Sequence, residues 1–250
     1  MGKRLSKPRI FAYRFEYISK YNLQRGVKTL CINNLENNEV EVLGRVESEL
    51  EFSHEVYGEG FYSFVLNVKR LSEISDFILI TISERLLSGL PLHIGDVVHI
   101  KGQFRSYNNY SSSERKLILT VFAKDILPAE EEELDKNLNY IYLNGFVCKL
   151  PAYRTTPFGR EITDILLAVN RQYNKSDYIP CIAWGRNARF AADLQVGDNI
   201  KVWGRVQSRE YQKKISENEL VNKTAYEVSV SKMECVSHKS EKDEEDIIGN

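Results

Sequence analysis

The sequence predicts an all-β protein made of two similar five-stranded Greek-key barrels in tandem. Three observations predict it. The chain has 250 residues, which is more than one compact domain usually contains, and its 42% hydrophobic content is enough for two cores. Landmark residues recur at a spacing of about 101 residues. Short segments with alternating β-branched and polar residues are separated by turn residues.

The repeat consists of matching residues in the two halves of the chain. Gly44 matches Gly145, and one inserted residue later lengthens the spacing by one. The further matches are Asp76 with Asp177, Arg85 with Arg186, Gly95 with Gly197, Gly102 with Gly204 and Ser106 with Ser208. Because so many ordered matches are hard to obtain by chance, we infer that both halves share one fold.

Each copy has segments with the alternation of half-buried strands. In the first copy they are Glu39 to Glu47, Tyr62 to Lys69, Phe77 to Ile82, Val97 to Arg105 and Leu117 to Lys124, with equivalents from Tyr140 onward. Asn187 to Leu194 predicts a short helix between the third and fourth strands of the second copy. Five strands and one helix in roughly 90 residues match the partly open barrel called the OB-fold, and an unrelated small β-sandwich is the alternative.

The net charge of −1 is the sum of segments that differ strongly. Residues 1–38 carry +6, residues 39–127 carry −4, residues 128–138 carry −4, residues 139–236 carry +4 and residues 237–250 carry −3. In this order they predict a basic extension, a degenerate OB-fold, an acidic linker, a second OB-fold and a disordered acidic tail. The extension is either a nucleic-acid arm or a basic surface segment. We expect the basic second barrel to attract phosphate.

Composition and motifs argue against several other classes of protein. No run of about 18 apolar residues is present, so we expect a cytoplasmic protein with no membrane contact. The cysteines form no CxxC pair and the histidines no metal-ligand spacing, so we expect neither disulfide nor metal. Catalytic motifs and phosphate-binding loops are absent as well. We therefore expect no enzyme activity and no cofactor.

The second copy interleaves aromatic with basic side chains, as binding of a single strand requires. Tyr178 and Trp184 are six residues apart on one predicted strand, so alternation places both on the same face. The opposite face then carries the apolar core candidates Ile179, Cys181 and Ala183. The alternative is that the aromatic rings fill the barrel. For Trp203 and Phe190 we favour that alternative and expect core positions.

Several segments of the second copy together resemble the bacterial single-stranded DNA-binding protein family. They are Gly145 to Pro151, Tyr153 to Pro157 with Gly159, Asp164 to Arg171, Tyr178 to Gly185 and Gly197 to Arg205. The resemblance implies an OB-fold whose base-stacking positions are Tyr173, Tyr178, Trp184 and Tyr211. The candidate phosphate-binding cations beside them are Arg154, Arg160, Arg171, Arg186, Arg205 and Arg209.

The first copy departs from this pattern. Of the stacking positions it keeps Phe77 and, approximately, Tyr107, while Ser72 and Ser83 stand at two others. We interpret it mainly as a structural or dimerisation partner that extends the path of the DNA through Arg105, Tyr107 and Tyr110.

The resemblance also implies partners. The family acts with four OB-folds per assembly, so two per chain imply a homodimer. Its members recruit replication and repair proteins through an acidic tail. Asp243 to Asn250 is acidic and then apolar but lacks the family's terminal Pro-Phe pair, so an inert solubilising tail is equally compatible.

We therefore expect sequence-independent binding of single-stranded DNA in replication, recombination or repair, in the nucleoid region of the cytoplasm. Two alternatives remain. One is a protein-interaction module with drifted OB-folds, and the other is an RNA-binding or primosome accessory protein.

Overall fold

The structure is a computed structural model that describes residues 36–72, 74–109, 116–216 and 219–237. The predictions for residues 1–35, for Tyr110 and for nearly all of the acidic tail lie outside the described residues.

The described part of the first barrel contains six strands and a one-turn helix. The strands are β1 (Asn38–Val46), β2 (Glu51–Val56), β3 (Glu59–Lys69), β4 (Ser75–Ser83), β5 (Val97–Asn109) and β6 (Lys116–Pro128), and α1 is Glu84–Leu87. The barrel closes because β1 pairs with both β3 and β5, while β4 and β6 pair in parallel. The strand β2 extends the β3 side as a hairpin.

The second barrel repeats this topology strand for strand. Its elements are β7 (Asn139–Val147), β8 (Ala152–Thr155), β9 (Glu161–Arg171), β10 (Lys175–Trp184), α2 (Arg186–Ala192), β11 (Asn199–Ser216) and β12 (Glu219–Ser237). The strand β7 pairs with β9 and β11, and β10 pairs in parallel with β12. The prediction of two tandem Greek-key barrels is confirmed. Each barrel has one strand more than expected, because the hairpin strands β2 and β8 were not predicted.

Four of the landmark glycines lie where strands approach each other closely. A Cβ atom on Gly145 would meet the carbonyl oxygen of Ala168 at 2.5 Å, and one on Gly204 would meet that of Ser229 at 2.1 Å. Gly44 and Gly102 have the same relation to backbone carbonyls in the first barrel. The glycines therefore recur in both copies because closure of each barrel leaves no room for a side chain at these positions.

The two barrels are joined edge to edge. Strands β1 and β7 pair antiparallel from Asn38 opposite Leu143 to Val42 opposite Asn139. All strands of the described residues thereby belong to one 12-stranded sheet. The first barrel thereby pairs with the second within one chain.

Each copy also holds the other through a buried aspartate. The backbone N–H of Ser106 in β5 donates to Asp177 Oδ1 at 2.6 Å, and Asp177 forms an ion pair with Arg171 at 3.2 Å. The equivalent contact joins the Ser208 N–H to Asp76 Oδ1 at 2.9 Å, with Arg70 as the paired cation. The aspartates and serines of these contacts are landmarks of the repeat, and the structure shows why both copies carry them.

The acidic linker is a packed segment. Residues Glu131–Lys136 form a 3₁₀-helix that begins with a capping box between Glu130 and Glu133. Leu134 is buried against Leu43 and Val97 of the first barrel. The acidic side chains of Glu131 and its neighbours face solvent. The charge pattern therefore predicted the exposed side of this segment but did not predict that Leu134 anchors it.

Candidate nucleic-acid interface

The outer surface of β8, β9 and β10 forms a largely apolar strip, which we call the β8–β10 face. Along each strand, the residues of this face alternate with residues that point into the core. The strand register places Ile162 beside Trp184, Asp164 beside Ile182, Leu166 beside Pro180 and Ala168 beside Tyr178. The face therefore carries one acidic side chain, Asp164, which is paired with Arg154 of β8, and seven further residues, Ile162, Leu166, Ala168, Tyr178, Pro180, Ile182 and Trp184.

Two rings stand at the ends of this strip. Tyr178 is 47% exposed and Trp184 is 39% exposed, whereas Ile179, Cys181 and Ala183 between them point into the core and are buried. The predicted alternation is confirmed, except that Ile182 on the outer face is also buried. Six residues of extended strand separate the rings by about 20 Å. The strip is long enough for several unpaired bases.

Tyr173 lies at the edge of the same region, in the turn between β9 and β10. Tyr173 and Asn174 have positive φ, of 62° and 53°, in this three-residue turn between Arg171 and Lys175. The ring of Tyr173 is almost completely exposed.

The hairpin of β8 and β9 adds aromatic residues that the sequence interpretation missed. Phe158 is almost fully exposed at its tip, and Tyr153 on β8 donates its hydroxyl to Glu161 at 2.9 Å. Their equivalents by the repeat, Phe52 and Tyr57, are also exposed. An aromatic residue at the same place in both hairpins was a signal available in the sequence.

The predicted cations of this region differ in whether an aspartate already neutralises their charge. Arg160 and Arg186 are exposed at the rim of the β8–β10 face. Arg154 forms an ion pair with Asp164 at 2.9 Å, and Arg171 is paired with the buried Asp177. Arg160 and Arg186 are therefore the better placed to bind phosphate.

Tyr178 lies where the second barrel meets the first. The Tyr178 N–H donates to Ser106 Oγ at 2.8 Å. We call this region the Asp177 junction and define it as Arg105, Ser106, Tyr107, Arg171, Asp177 and Tyr178. Burial raises the pKa of Asp177, while the Ser106 N–H and the two arginines oppose the shift. Burial and the nearby Arg171 also lower the pKa of Arg105.

Tyr211 lies elsewhere, at the second contact between the barrels. The Phe77 N–H donates to Ser208 Oγ at 2.9 Å, and Tyr211 follows three residues later on β11. We call this region the Asp76 junction and define it as Arg70, Asp76, Phe77, Arg205, Ser208, Arg209 and Tyr211. The two junctions are equivalent by the repeat and lie on opposite sides of the axis that relates the barrels. Tyr211 thus follows the contact of β11 with β4, whereas Tyr178 lies at the contact of β10 with β5.

The equivalent face of the first barrel is filled by its own side chains. The His54 ring stacks on Phe61 at 5.0 Å, Phe61 contacts Phe122 at 5.6 Å, and the Arg105 guanidinium lies 3.8 Å above Phe122. At the position of Trp184, Ser83 donates its hydroxyl to Glu59. Self-packed rings and a carboxylate leave this face unsuited to bases and phosphates.

Two core predictions are wrong. Phe190 is 43% exposed, because α2 turns only Ala188 and Ala191 into the barrel. Trp203 lies on the outer side of β11, half-buried between the Tyr142 ring at 5.3 Å and the Lys232 ammonium at 4.6 Å. Its strand neighbours Val202 and Gly204 take the inward positions.

Comparison with known proteins agrees with this geometry. Residues 138–236 match the model of the Single-strand binding protein family. The second barrel is similar to this family over its whole length. Similar proteins include single-stranded DNA-binding protein 2 of Listeria innocua, 35% identical over 82 residues, and single-stranded DNA-binding protein A of Bacillus subtilis, 37% identical over 82 residues. Each alignment covers 30% of this chain and 52% or 48% of the relative, so the chain spans about half the length of these relatives.

Solved structures extend the likeness to both barrels. A mutant of the single-stranded DNA binding protein from Thermus aquaticus has a TM-score of 0.65 and 20% identity, over 81% of this chain and 96% of that chain. At this identity the likeness shows that the two chains share a fold. The N-terminal domain of the PriB protein from Thermoanaerobacter tencongensis is 54% identical over 38% of this chain and all of that chain, with a TM-score of 0.35.

Within the described ranges, no cluster of His, Cys, Asp or Glu could hold a metal ion. The same ranges contain no helix long and apolar enough to cross a membrane.

Proposed function

We propose that this chain binds single-stranded DNA without strong sequence preference, with the β8–β10 face as the main contact. The observation that carries this function is the pair Tyr178 and Trp184, two exposed rings at the ends of a largely apolar strip. Aromatic rings stack on bases of any sequence, because every base presents a flat π-face. The names of the bacterial relatives support DNA as the ligand.

The roles of the side chains follow from their surroundings. Tyr173, Tyr178 and Trp184 stack on bases, while Arg160 and Arg186 at the rim bind phosphates. Arg154 and Arg171 contribute less net charge, since each already pairs with an aspartate. Tyr107 and Arg105 of the Asp177 junction continue the path of the strand onto the first barrel.

The wider role has the same basis. The chain coats single-stranded DNA during replication, recombination or repair, in the cytoplasm, and performs no reaction on it. Two OB-folds per chain favour a homodimer with four. The N-terminal extension and the acidic tail are candidates for further contacts to nucleic acid and to partner proteins.

The test compares the affinity of the full chain for oligo-dT with that of the double variant Tyr178→Ala, Trp184→Ala. Each lost stacking contact should cost about 1 to 3 kcal/mol. The matched control is Tyr57→Asn, which removes an exposed ring from the first barrel. Asn-Gly favours the positive φ of 52° and 80° at this turn, so the control keeps the hairpin.

Loss of affinity in the double variant but not in the control supports the assignment. If the double variant binds oligo-dT as tightly as the control does, the β8–β10 face is not the binding site. A parallel titration with oligo-U addresses the alternative ligand, since preference for RNA requires contact to the 2′-hydroxyl. No binding of either strand at low salt would favour a protein-interaction module.

A further inference from the structure

The sheet ends in two free edges, one in each barrel. Among the described residues, β2 pairs only with β3 and β8 pairs only with β9. Nearly all side chains of these two edge strands are exposed. An edge strand presents a row of unpaired backbone N–H and C=O groups, which can pair with a further strand. Each edge is therefore a place where a strand of another chain can join the sheet.

The two edges carry opposite charge. Residues 47–59, which contain β2, include five glutamates and neither lysine nor arginine, so their formal charge is −5. The equivalent residues by the repeat, 148–160, contain β8 and include Lys149, Arg154 and Arg160 with no aspartate or glutamate, so their formal charge is +3. Because both segments form the same hairpin, the contrast lies in the side chains and not in the backbone.

The acidic charge of the first edge is largely unpaired. Glu51 and Glu55 of β2 are exposed, and neither forms an ion pair with a cation of the described residues. Glu59 differs, since Arg85 lies 3.2 Å from its carboxylate. On the other edge Lys149 is exposed, and Arg154 is exposed beside Asp164. The charges that remain available at the two edges are therefore negative on β2 and positive on β8.

Both edges also expose apolar side chains. Phe52 and Val56 of β2 are 63% and 43% exposed, and Leu150 and Tyr153 at β8 are 62% and 45% exposed. The outer face of the first barrel is filled by its own rings, so binding of bases there does not explain exposed apolar side chains on β2. Apolar area next to unpaired charge is instead typical of a surface that binds another protein.

Charge determines which edges can pair between two copies of the chain. If β2 met β2, Glu51 and Glu55 would lie near the same glutamates of the second copy, and like charges across a strand pair are destabilising. If β8 met β8, the basic side chains would repel in the same way. Only the pairing of β2 with β8 brings opposite charges together.

We propose that β2 of one copy of this chain pairs with β8 of a second copy, so that chains join head to tail through the edges of their sheets. This contact is heterologous, and every joined chain still offers one free edge of each kind unless a ring closes. It therefore builds an open assembly, in contrast to a closed homodimer. The inference goes beyond the proposed function, since the contact itself requires no DNA.

The contact is short, because β8 has only four residues. Small interfaces are weak in dilute solution. Chains that lie side by side on one DNA strand meet at a much higher effective concentration. The head-to-tail contact would then favour binding of a chain next to one already bound.

Sedimentation equilibrium of the full chain without DNA tests the contact, from micromolar to millimolar protein. At low salt the mean mass of the wild type should rise with concentration beyond that of a dimer, and added salt should reduce the rise by screening the charges. The variant Glu51→Lys, Glu55→Lys should have an association constant at least about tenfold lower, because attraction at two positions becomes repulsion.

The matched control is Glu132→Lys, Asp135→Lys. It changes the net charge by the same amount at two exposed residues of the linker helix, so it should associate like the wild type. Urea denaturation confirms that each variant is folded.

A mixing experiment tests which edges meet. The variant Lys149→Glu, Arg154→Glu makes the β8 edge acidic and should not associate alone. Mixed with the β2 variant in equal amounts, it should regain mass. The basic β2 of one variant then meets the acidic β8 of the other, and the remaining edges keep their natural charges.

Three results would overturn the proposal. The first is a mean mass of the wild type that stays constant over the whole concentration range. The second is association of the β2 variant as strong as that of its control. The third is a mixture that gains no mass over the separate variants. Since no DNA is present, none of these results bears on the proposed function.

Discussion

Val40 and Ile141 lie opposite each other in the pairing of β1 with β7, and they are also equivalent residues of the two repeats. A pairing in which a residue faces its own equivalent is self-complementary, as in a symmetric dimer. The chain therefore contains, within one polypeptide, the interface that two identical barrels would form. The Asp76 and Asp177 junctions lie on either side of this axis and are the two copies of its second contact.

The buried aspartates should stabilise the pairing of the barrels. Replacing Asp177 by Ala leaves Arg171 and the Ser106 N–H without their buried partner, so we expect a loss of about 3 kcal/mol in the free energy of unfolding. Asp164→Ala is the matched control, because its ion pair with Arg154 is exposed and should contribute less than about 1 kcal/mol. Urea denaturation measures both, and equal effects would contradict the assigned role.

Glu41 should make the stability of the pairing between β1 and β7 sensitive to acid. Burial tends to raise the pKa of Glu41, but the Lys101 ammonium at 3.1 Å and the His99 ring lower it below the ordinary value of 4.5. A lowered pKa means that the ionised form stabilises the fold at higher pH, and that this contribution is lost as the pH falls through the lowered value. The stability difference between wild type and Glu41→Gln should be present at neutral pH and vanish in acid. A difference that grows on acidification would refute this.

The linker should contribute to stability through one side chain. Leu134→Ala removes the buried anchor of the 3₁₀-helix, and we expect a cost of about 2 kcal/mol, at the lower end for such changes because the cluster is small. Glu132→Ala changes an exposed residue of the same segment and should be nearly neutral. Thermal denaturation of both variants distinguishes a docked linker from a loose spacer, for which neither change would matter.

Gly145 should resist substitution. Its Cβ would lie 2.5 Å from the Ala168 carbonyl oxygen, so Gly145→Ala must shift a strand and should cost about 1 to 3 kcal/mol. Gly60→Ala is the control, since its Cβ would meet only the end of the Glu84 side chain, which can move. If both variants unfold at the same urea concentration, strand crossing does not explain the landmark glycines.

Much of the fold could be predicted from the sequence because each barrel needs particular residue types at particular positions. The glycines at strand crossings and the aspartates at the junctions occur in both copies. Asn38 and Asn139 form another such pair, each bonding the backbone of Phe104 or Val206 with its amide, and the sequence interpretation overlooked them. The pairing of β1 with β7 could not be predicted, since edge strands carry no residue pattern that identifies their partner.

The candidate site was predictable where alternation along one strand determined it. Tyr178 and Trp184 share a face for that reason. The contact of β11 with β4 near Tyr211 depends on how the barrels pack, which no local pattern encodes. The exposure of Phe190 depends on the short α2, where Ala188 and Ala191 fill the space available against the barrel.

The central claim is that unpaired nucleotides stack on the β8–β10 face, and the fluorescence of Trp184 tests it most directly. The chain has two tryptophans, so the variant Trp203→Phe leaves Trp184 as the only indole. Titration of this variant with poly-dT at low salt should quench its tryptophan emission in proportion to the DNA bound, and added salt should restore it. DNA binding with unchanged Trp184 emission would contradict the account.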